Sequence, residues 1–462
     1  MDRVVSSPNI TTPLRRSYRI APKESWVALF FLWLVYALDA NSRQMIYYVL
    51  PPIIKEFSLT ASQSGLYTTI VTVSTSLLTI PAMLWVNKGG QGWRRKYRHF
   101  YLVVGYTLFT FLTGLNLITG TIGLLILMQV LSHVFGGISE VTEVTTAAEW
   151  WSKERRGLAL GIHHTGFPWG TLVGGMLVSA VLSYYGSTHW RMAFLFFPIP
   201  IIIAFALYWL YATRKRYDSL REKIVAAGET DPLAAEDNHN PGVLEGRPLI
   251  ACLVNPNVFV ITIVSTFAII GYWGISFWLP QYLAFVAHYN FAQAAAYSVL
   301  FTITGGIGQI FWGSISDRIG RKLSLVIVFA WIAVGMWLFK YAGESLTVLV
   351  VIQLIIGFAI NAPYTLIFAI AFDSAKPGTH GLAAGMINAG LYIGGIGPYI
   401  LGALIAAGGG FHAVAGYNTG LYFLAILMVI GTVLTALFTR ETAGWFIKYD
   451  RAFVSRRQCN LK

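Results

Sequence analysis

Apolar residues along this chain gather into long runs separated by short polar or glycine-rich breaks. A helix needs roughly 20 residues to cross the hydrocarbon layer of a bilayer. Runs of that kind fall near 25–50, 62–86, 100–118, 121–148, 157–184, 190–212, 257–282, 292–313, 323–342, 345–370, 381–407 and 416–438, which predicts twelve membrane-spanning helices. Glycine and proline (45 and 17 in the chain) are scattered through the runs, as is common where helices pack closely in lipid. The alternating segments of about ten residues that build an outer-membrane barrel do not appear.

Composition supports lipid as the solvent. Of 462 residues, 56% are hydrophobic and 11% charged, with mean hydropathy +0.61; a soluble domain carries roughly 25% charged residues. The net charge of +13 would suit a nucleic-acid binder, but its distribution says otherwise. With both termini inside, every Lys and Arg except Arg43, Lys55, Arg191 and Lys340 falls in the tails or in loops on the terminus side. This positive-inside pattern makes the basicity topological, so no nucleic-acid partner is expected. It predicts a multi-pass cell-membrane protein with both termini cytoplasmic, in a bacterial inner membrane. Residues 1–24 lack the apolar core and cleavage site of a secretory signal, so they are expected to be a tail. A six-helix bundle over 25–212, a cytoplasmic linker over 213–256, a second bundle over 257–438 and a tail over 439–462 follow. The linker is expected to lay an amphipathic helix on anionic headgroups, and Cys252 and Cys459 are expected to be free thiols.

The halves are related. Gly157-Leu158-Ala159-x-Gly161-x4-Gly166-x3-Gly170 recurs 224 residues later as Gly381-Leu382-Ala383-x-Gly385-x4-Gly390-x3-Gly394. Glycines so spaced leave a groove for a neighbouring helix, which predicts close contact where one half rocks on the other. Between spans 8 and 9, Gly313-x3-Asp317-Arg318-x-Gly320-Arg321-Lys322 matches G-x3-D-[RK]-x-G-R-[RK], the signature of the major facilitator superfamily. Glu154-Arg155-Arg156-Gly157 and Trp190-Arg191-x-x-Phe194 resemble two further marks of that family. The resemblance implies an all-α membrane fold of twelve transmembrane helices in two pseudo-symmetric six-helix bundles. It also implies that Asp317 with Arg321 ties adjacent helices in one access state. Loop 2–3 is a degraded copy, with Met83 and Asn87 at the first Gly and the Asp, then Lys88 and Arg94-Arg95-Lys96; the missing carboxylate is expected to weaken any such tie there.

An ionisable group at mid-membrane costs roughly 2.5–3.5 kcal/mol, so each needs a reason. Asp39 and Arg43 in span 1 are i and i+4 and share a face; an internal ion pair that neutralises itself would account for them, as would a proton or substrate site. In span 4, His133, Glu140 and Glu143 fall near one stripe, expected to face a central cavity. Span 1 and span 4 resemble the Y-x-D-R-x-N and R-x3-G-x-G-E segments of the anion:cation symporter branch, here Leu38-Asp39-Ala40-Asn41 and His133-x3-Gly137-x-x-Glu140, with both arginines replaced. The resemblance implies proton coupling through Asp39 and Glu140, with Glu143 and His133 assisting. Arg43 is expected to receive a substrate carboxylate, with Tyr47, Trp278, Gln281, Tyr282, Asn361, Tyr364 and Asn388 lining the site.

The expected activity is uptake of a small organic anion, such as a sugar acid or an aromatic acid, with protons, by a monomer embedded in membrane lipids. Proton-driven export of drugs or metabolites is the alternative. It is disfavoured because Gly175 and Val178-Ser179 replace key residues of the G-x8-G-x3-G-P-x2-G-G segment of exporters. No metal, cofactor or enzymatic activity is expected: the adjacent His163 and His164 lack the i, i+4 spacing of a helical zinc pair, and no G-x4-G-K-[ST] loop is present.

Overall fold

The computed structural model describes residues 21–87, 90–152, 155–233, 254–375 and 380–445, without the side chains of residues 76, 79–87, 156, 157, 380–382 and 384. Cys252, Cys459, Lys88, Glu154 and the side chains of Met83 and Asn87 fall outside that description. Twelve long helical segments form the body. They are α1 Lys23–Tyr48, α2 Ala61–Asn87, α3 Lys96–Thr113, α4 Ile122–Glu149, α5 Arg156–His164 with Gly166–Tyr185, and α6 Met192–Phe196 with Pro198–Tyr211. The second half comprises α7 Pro256–Phe285, α8 Phe291–Tyr297 with Phe301–Ile319, α9 Arg321–Leu338, α10 Leu346–Ile360 with Ala362–Ser374, α11 His380–Ile393 with Gly397–Ala407, and α12 Val414–Phe438. Among the described residues, ten of these are long and apolar enough to cross a membrane; α2 and α3 pack beside them on α4.

Local chemistry sets the ends and the breaks. Thr121, Asn255 and Ser345 accept from the first-turn N–H groups of Leu124, Val258 and Val348 at 3.4, 3.2 and 3.2 Å, satisfying donors that a helix leaves free. Prolines lie beside the interruptions of α5, α6, α10 and α11, at Pro168, Pro198, Pro363 and Pro398; each removes a backbone donor and turns the axis. The break in α10 turns Asn361, Pro363 and Tyr364 toward the centre of the molecule.

The repeated glycines work within each half rather than between halves, contrary to the expectation. A Cβ at Gly170 would lie 1.9 Å from Ala37 O of α1, and one at the equivalent Gly394 would lie 1.8 Å from Ile269 Cγ2 of α7. α5 therefore seats on α1, and α11 on α7. The two halves meet elsewhere, through α2 on α11 and α5 on α8. Thr69 and Thr72 of α2 both donate to Gly395 O of α11, at 3.1 and 3.3 Å. Toward the terminus side of the same helices, Gly161 and Gly385 face open space. The molecule is closed on the side away from its termini and open on the side that carries them.

The linker also differs from the expectation. Its helix Arg214–Ala226 buries Tyr217, Leu220 and Ile224 against the first bundle, and Tyr217 Oη donates to Glu149 O at 2.9 Å. Arg155–Glu229 at 2.6 Å and Lys223–Glu24 fasten it to the bundle, and Arg221–Asp231 at 2.5 Å ties the following turn back to the helix. The apolar stripe covers protein, not headgroups.

Candidate functional site

Asp39 and Arg43, one turn apart on α1, form an ion pair at 2.8 Å, and the other arm of the Arg43 guanidinium meets Glu140 of α4 at 2.9 Å. Tyr36, seven residues before Arg43 on the same stripe, donates to Glu140 Oε1 at 3.1 Å. Asp39 is fully buried, whereas Glu140 keeps a quarter of its side chain exposed. With both carboxylates ionised, the cluster carries one net negative charge around a single cation.

Arg43, Glu140 and Tyr36 stand on the wall of a central cavity with about 890 Å³ of space free of protein atoms, its mouth included. From the second half, Asn361, Tyr364 and Gln309 face them, and His164 joins from α5. The remaining lining is apolar or aromatic, including Phe167, Ile269, Trp273, Ile367 and Phe368. Tyr47, one turn past Arg43, is buried beneath this cavity with its ring 5.6 Å from Trp273 and 5.7 Å from Phe277; it lies in the floor that joins the halves.

Several predicted site residues lie elsewhere. Glu143 is turned away from the cavity toward α3, where His99 Nε2 stands 3.0 Å from it and Ser139 Oγ donates to it at 2.9 Å. A helix stripe tolerates about 100° of spread, so residues 140 and 143 share it while meeting different neighbours. His133 lies between backbone carbonyls, with Nδ1 at 2.9 Å from Gln129 O and Nε2 at 3.1 Å from Arg43 O; it braces α1 against α4 without reaching the cavity. Trp278 donates to Pro398 O at 3.1 Å and, with Tyr282, lines a separate apolar cavity inside the second bundle. Gln281 is fully buried, and Asn388 is half-buried on α11; neither lines the central cavity. All three α7 residues sit one to three turns beyond Trp273, too far along the helix.

On the terminus side, Arg321 pairs with Asp317 at 3.3 Å and more closely with Asp373 of α10 at 2.6 Å. Glu441, after α12, accepts from the N–H groups of Lys322 and Leu323 at 3.0 and 3.2 Å, capping α9. It lies over Gly320, whose φ of +121° has no room for a Cβ. Arg318 contributes its carbonyl to Trp445 N at 2.8 Å, and Gly313 lies near Thr365 of α10. The first half has its own version of this tie. Arg95 makes a forked contact with Glu149 at 2.7 and 2.8 Å, joined by Gly92 N at 2.6 Å. The Asn87 side chain, on which the expectation of a weakened tie rests, lies outside the described residues; for Arg95 the anchoring acid comes from the end of α4, as Asp373 does for Arg321 from the end of α10.

Sequence reasoning missed Tyr36, His164, Gln309, His99, Glu441 and Arg95–Glu149 as partners. The i, i+7 spacing of Tyr36 and Arg43 was a usable signal for one of them; the others depend on tertiary neighbours.

A family model described as Major Facilitator Superfamily matches residues 32–303 and 291–449. Among curated proteins, the mouse Glucose-6-phosphate exchanger SLC37A2 is 27% identical over 383 residues, covering 75% of this chain and 74% of its own. The Arabidopsis thaliana Putative glycerol-3-phosphate transporter 1 is 26% identical over 404 residues, 80% of this chain and 75% of its own. Both relatives are named for phosphate esters, where the sequence had suggested the organic anion:proton branch. Among solved structures, an inward-facing bacterial homologue of the human lysosomal transporter Spinster aligns with TM-score 0.68 and 19% identity over 91% of this chain and 98% of its own. The inward-open Escherichia coli xylose transporter XylE aligns with TM-score 0.70 and 12% identity over 93% and 99%.

Proposed function

Because this chain belongs to the major facilitator superfamily, we propose that it is a secondary transporter that moves a small organic anion together with protons, by alternating access around Arg43. The observation that supports this most is the sharing of Arg43 between Asp39 and Glu140 on the cavity wall, at 2.8 and 2.9 Å. While both acids are ionised, the cluster repels an anion. A proton on Glu140, the more exposed of the two, releases one arm of the guanidinium, and an anionic headgroup takes its place. Asp39 keeps its pair and holds Arg43 in orientation. Proton and anion then cross together, and deprotonation on the other side returns Glu140 to Arg43 and expels the cargo.

The lining supports a reading of the cargo class. One arginine and a neighbouring His164 suit a monoanion, and the apolar and aromatic walls suit a body with an apolar or aromatic face. An organic carboxylate is therefore the first reading. A phosphate monoester exchanged for another phosphate is the second, supported by the names of the two curated relatives. We assign the termini to the cytoplasmic side of a bacterial inner membrane from the basic loops, so an inward proton gradient drives uptake.

Purified protein in liposomes, with an imposed pH gradient and a panel of organic acids and sugar phosphates, tests the proposal. Gradient-dependent accumulation of a carboxylate, lost in Arg43→Gln, is expected. Exchange of phosphates that ignores the gradient would replace the first reading with the second.

A further inference from the structure

Behind the cavity wall, α3 and α4 enclose a second titratable cluster. His99 Nε2 lies 2.9 Å from Ser139 Oγ and 3.0 Å from Glu143 Oε1, and Ser139 donates to that same oxygen. His99 and Glu143 are both fully buried. Since the hydroxyl proton of Ser139 goes to Glu143, Nε2 of His99 carries a hydrogen, which leaves Nδ1 without a partner among the described residues; Glu143 Oε2 has none there either. Around the pair stand Asp39 and Arg43 on α1, Glu140 on α4 and Tyr106 on α3. His163 of α5 and Tyr208 of α6 complete the surroundings. His163 is itself fully buried with both ring nitrogens unpartnered, and it stacks at 4.6 Å on Tyr36, the donor to Glu140.

Charge balance limits what this cluster can hold. A fully buried carboxylate whose hydrogen-bond donors are all neutral, with the nearby Arg43 already shared between Asp39 and Glu140, is too costly to persist. The pair must therefore carry one proton beyond neutral imidazole and carboxylate, on Glu143 Oε2 or on His99 Nδ1. Those are the two atoms left without partners. In this conformation the proton has no acceptor in either place among the described residues, so it leaves only when water or a new partner reaches the pair.

We propose that His99, Ser139 and Glu143 form a proton-binding site distinct from the anion cavity, loading and releasing one proton in each transport cycle. The inference rests on the proton-coupled reading above and adds a second coupling centre to it. In the uptake direction the pair takes its proton from far-side water admitted by the tilt of the halves, and gives it up to terminus-side water that reaches it from the open cavity once the anion has left.

Infrared difference spectra of the purified protein in lipid, with parallel flux measurements of the proton:substrate ratio, test this. The carbonyl stretch of a protonated, buried carboxylic acid is expected, lost in Glu143→Gln and moved in His99→Gln. The ratio should fall by one proton in Glu143→Gln, which lowers steady-state accumulation about tenfold per unit of pH gradient. If Glu143→Gln removes no carboxyl band other than the one that Glu140→Gln removes, or leaves the ratio unchanged, the site is overturned. Should Glu143→Gln fail to fold, Ser139→Ala removes one donor to Oε1 and must still move the band; a band indifferent to it also overturns the proposal. The band must persist in Glu140→Gln, so failure of anion binding with an intact band defeats the cavity reading alone.

Discussion

Replacing Glu140 with Gln should tighten anion binding while abolishing its dependence on pH. In the native protein an anion reaches Arg43 only by displacing the Glu140 carboxylate from a 2.9 Å contact. A hydrogen bond between charged groups is worth about 1.5–3 kcal/mol, and the partial exposure of both side chains, 14% for Arg43 and 25% for Glu140, favours the lower half of that range. The introduced amide would still accept one neutral hydrogen bond but would no longer compete as a charge. Affinity above neutral pH should therefore improve by at least roughly tenfold, the equivalent of about 1.4 kcal/mol for the lost contact alone, with like-charge repulsion between Glu140 and the anion adding to it. Native binding should weaken by up to about tenfold per pH unit once Glu140 is ionised, whereas the variant should be flat. Binding measured by tryptophan fluorescence or calorimetry between pH 6 and 9 reads both effects. Weaker binding in Glu140→Gln, or a preserved pH slope, would refute competition between the carboxylate and the anion.

Four further outcomes follow from the geometry. Arg95→Ala strands the nearly buried Glu149, and breaking such a pair costs about 3–5 kcal/mol, so thermal unfolding in detergent should show a large loss, where Asp317→Ala, at an exposed carboxylate, should show little. Asp317→Asn should impair uptake far more than Asn87→Ala; equal effects would remove the assigned role of the loop 8–9 motif. Burial alone would raise Glu56, but hydrogen bonds from Arg191 and Trp190 and the charge of Arg191 outweigh it and hold its carboxyl below the usual carboxylate range. A depressed carboxyl stabilises the fold above its unfolded value and loses that contribution as pH falls through the folded one, so the stability gap between native protein and Glu56→Gln should be full at pH 7 and close on acidification below the usual carboxylate range; a gap that stays constant contradicts the pairing. Finally, a side chain at Gly175 would start 2.5 Å from Val299 across the closed seam of the halves, so Gly175→Leu should shift cysteine accessibility toward the far-side-open state.

What the sequence could tell depended on whether the information was local. Span positions follow from hydrophobic runs, and the Asp39–Arg43 pair follows from i, i+4 spacing on a single helix. Glu140 was legible because its depth in span 4 demanded a partner. Glu143 was not, because the stripe could not reveal that His99 and Ser139 wait on the α3 side. Trp278, Gln281 and Tyr282 looked suitable by chemistry, yet the cavity meets α7 at Tyr272 and Trp273, and a sequence does not say at what depth two bundles leave a gap. The repeated glycines were correctly read as close-packing sites, but which helix they receive is decided by topology. Loop 2–3 looked degraded because the acid that anchors its arginine, Glu149, lies some fifty residues onward.

Proton uptake on anion binding, measured by calorimetry in buffers of differing ionisation enthalpy, tests the central claim most directly. The account predicts net uptake of about one proton per bound anion above neutral pH, abolished in Glu140→Gln. Binding of the anion with no proton exchanged in the native protein would contradict it.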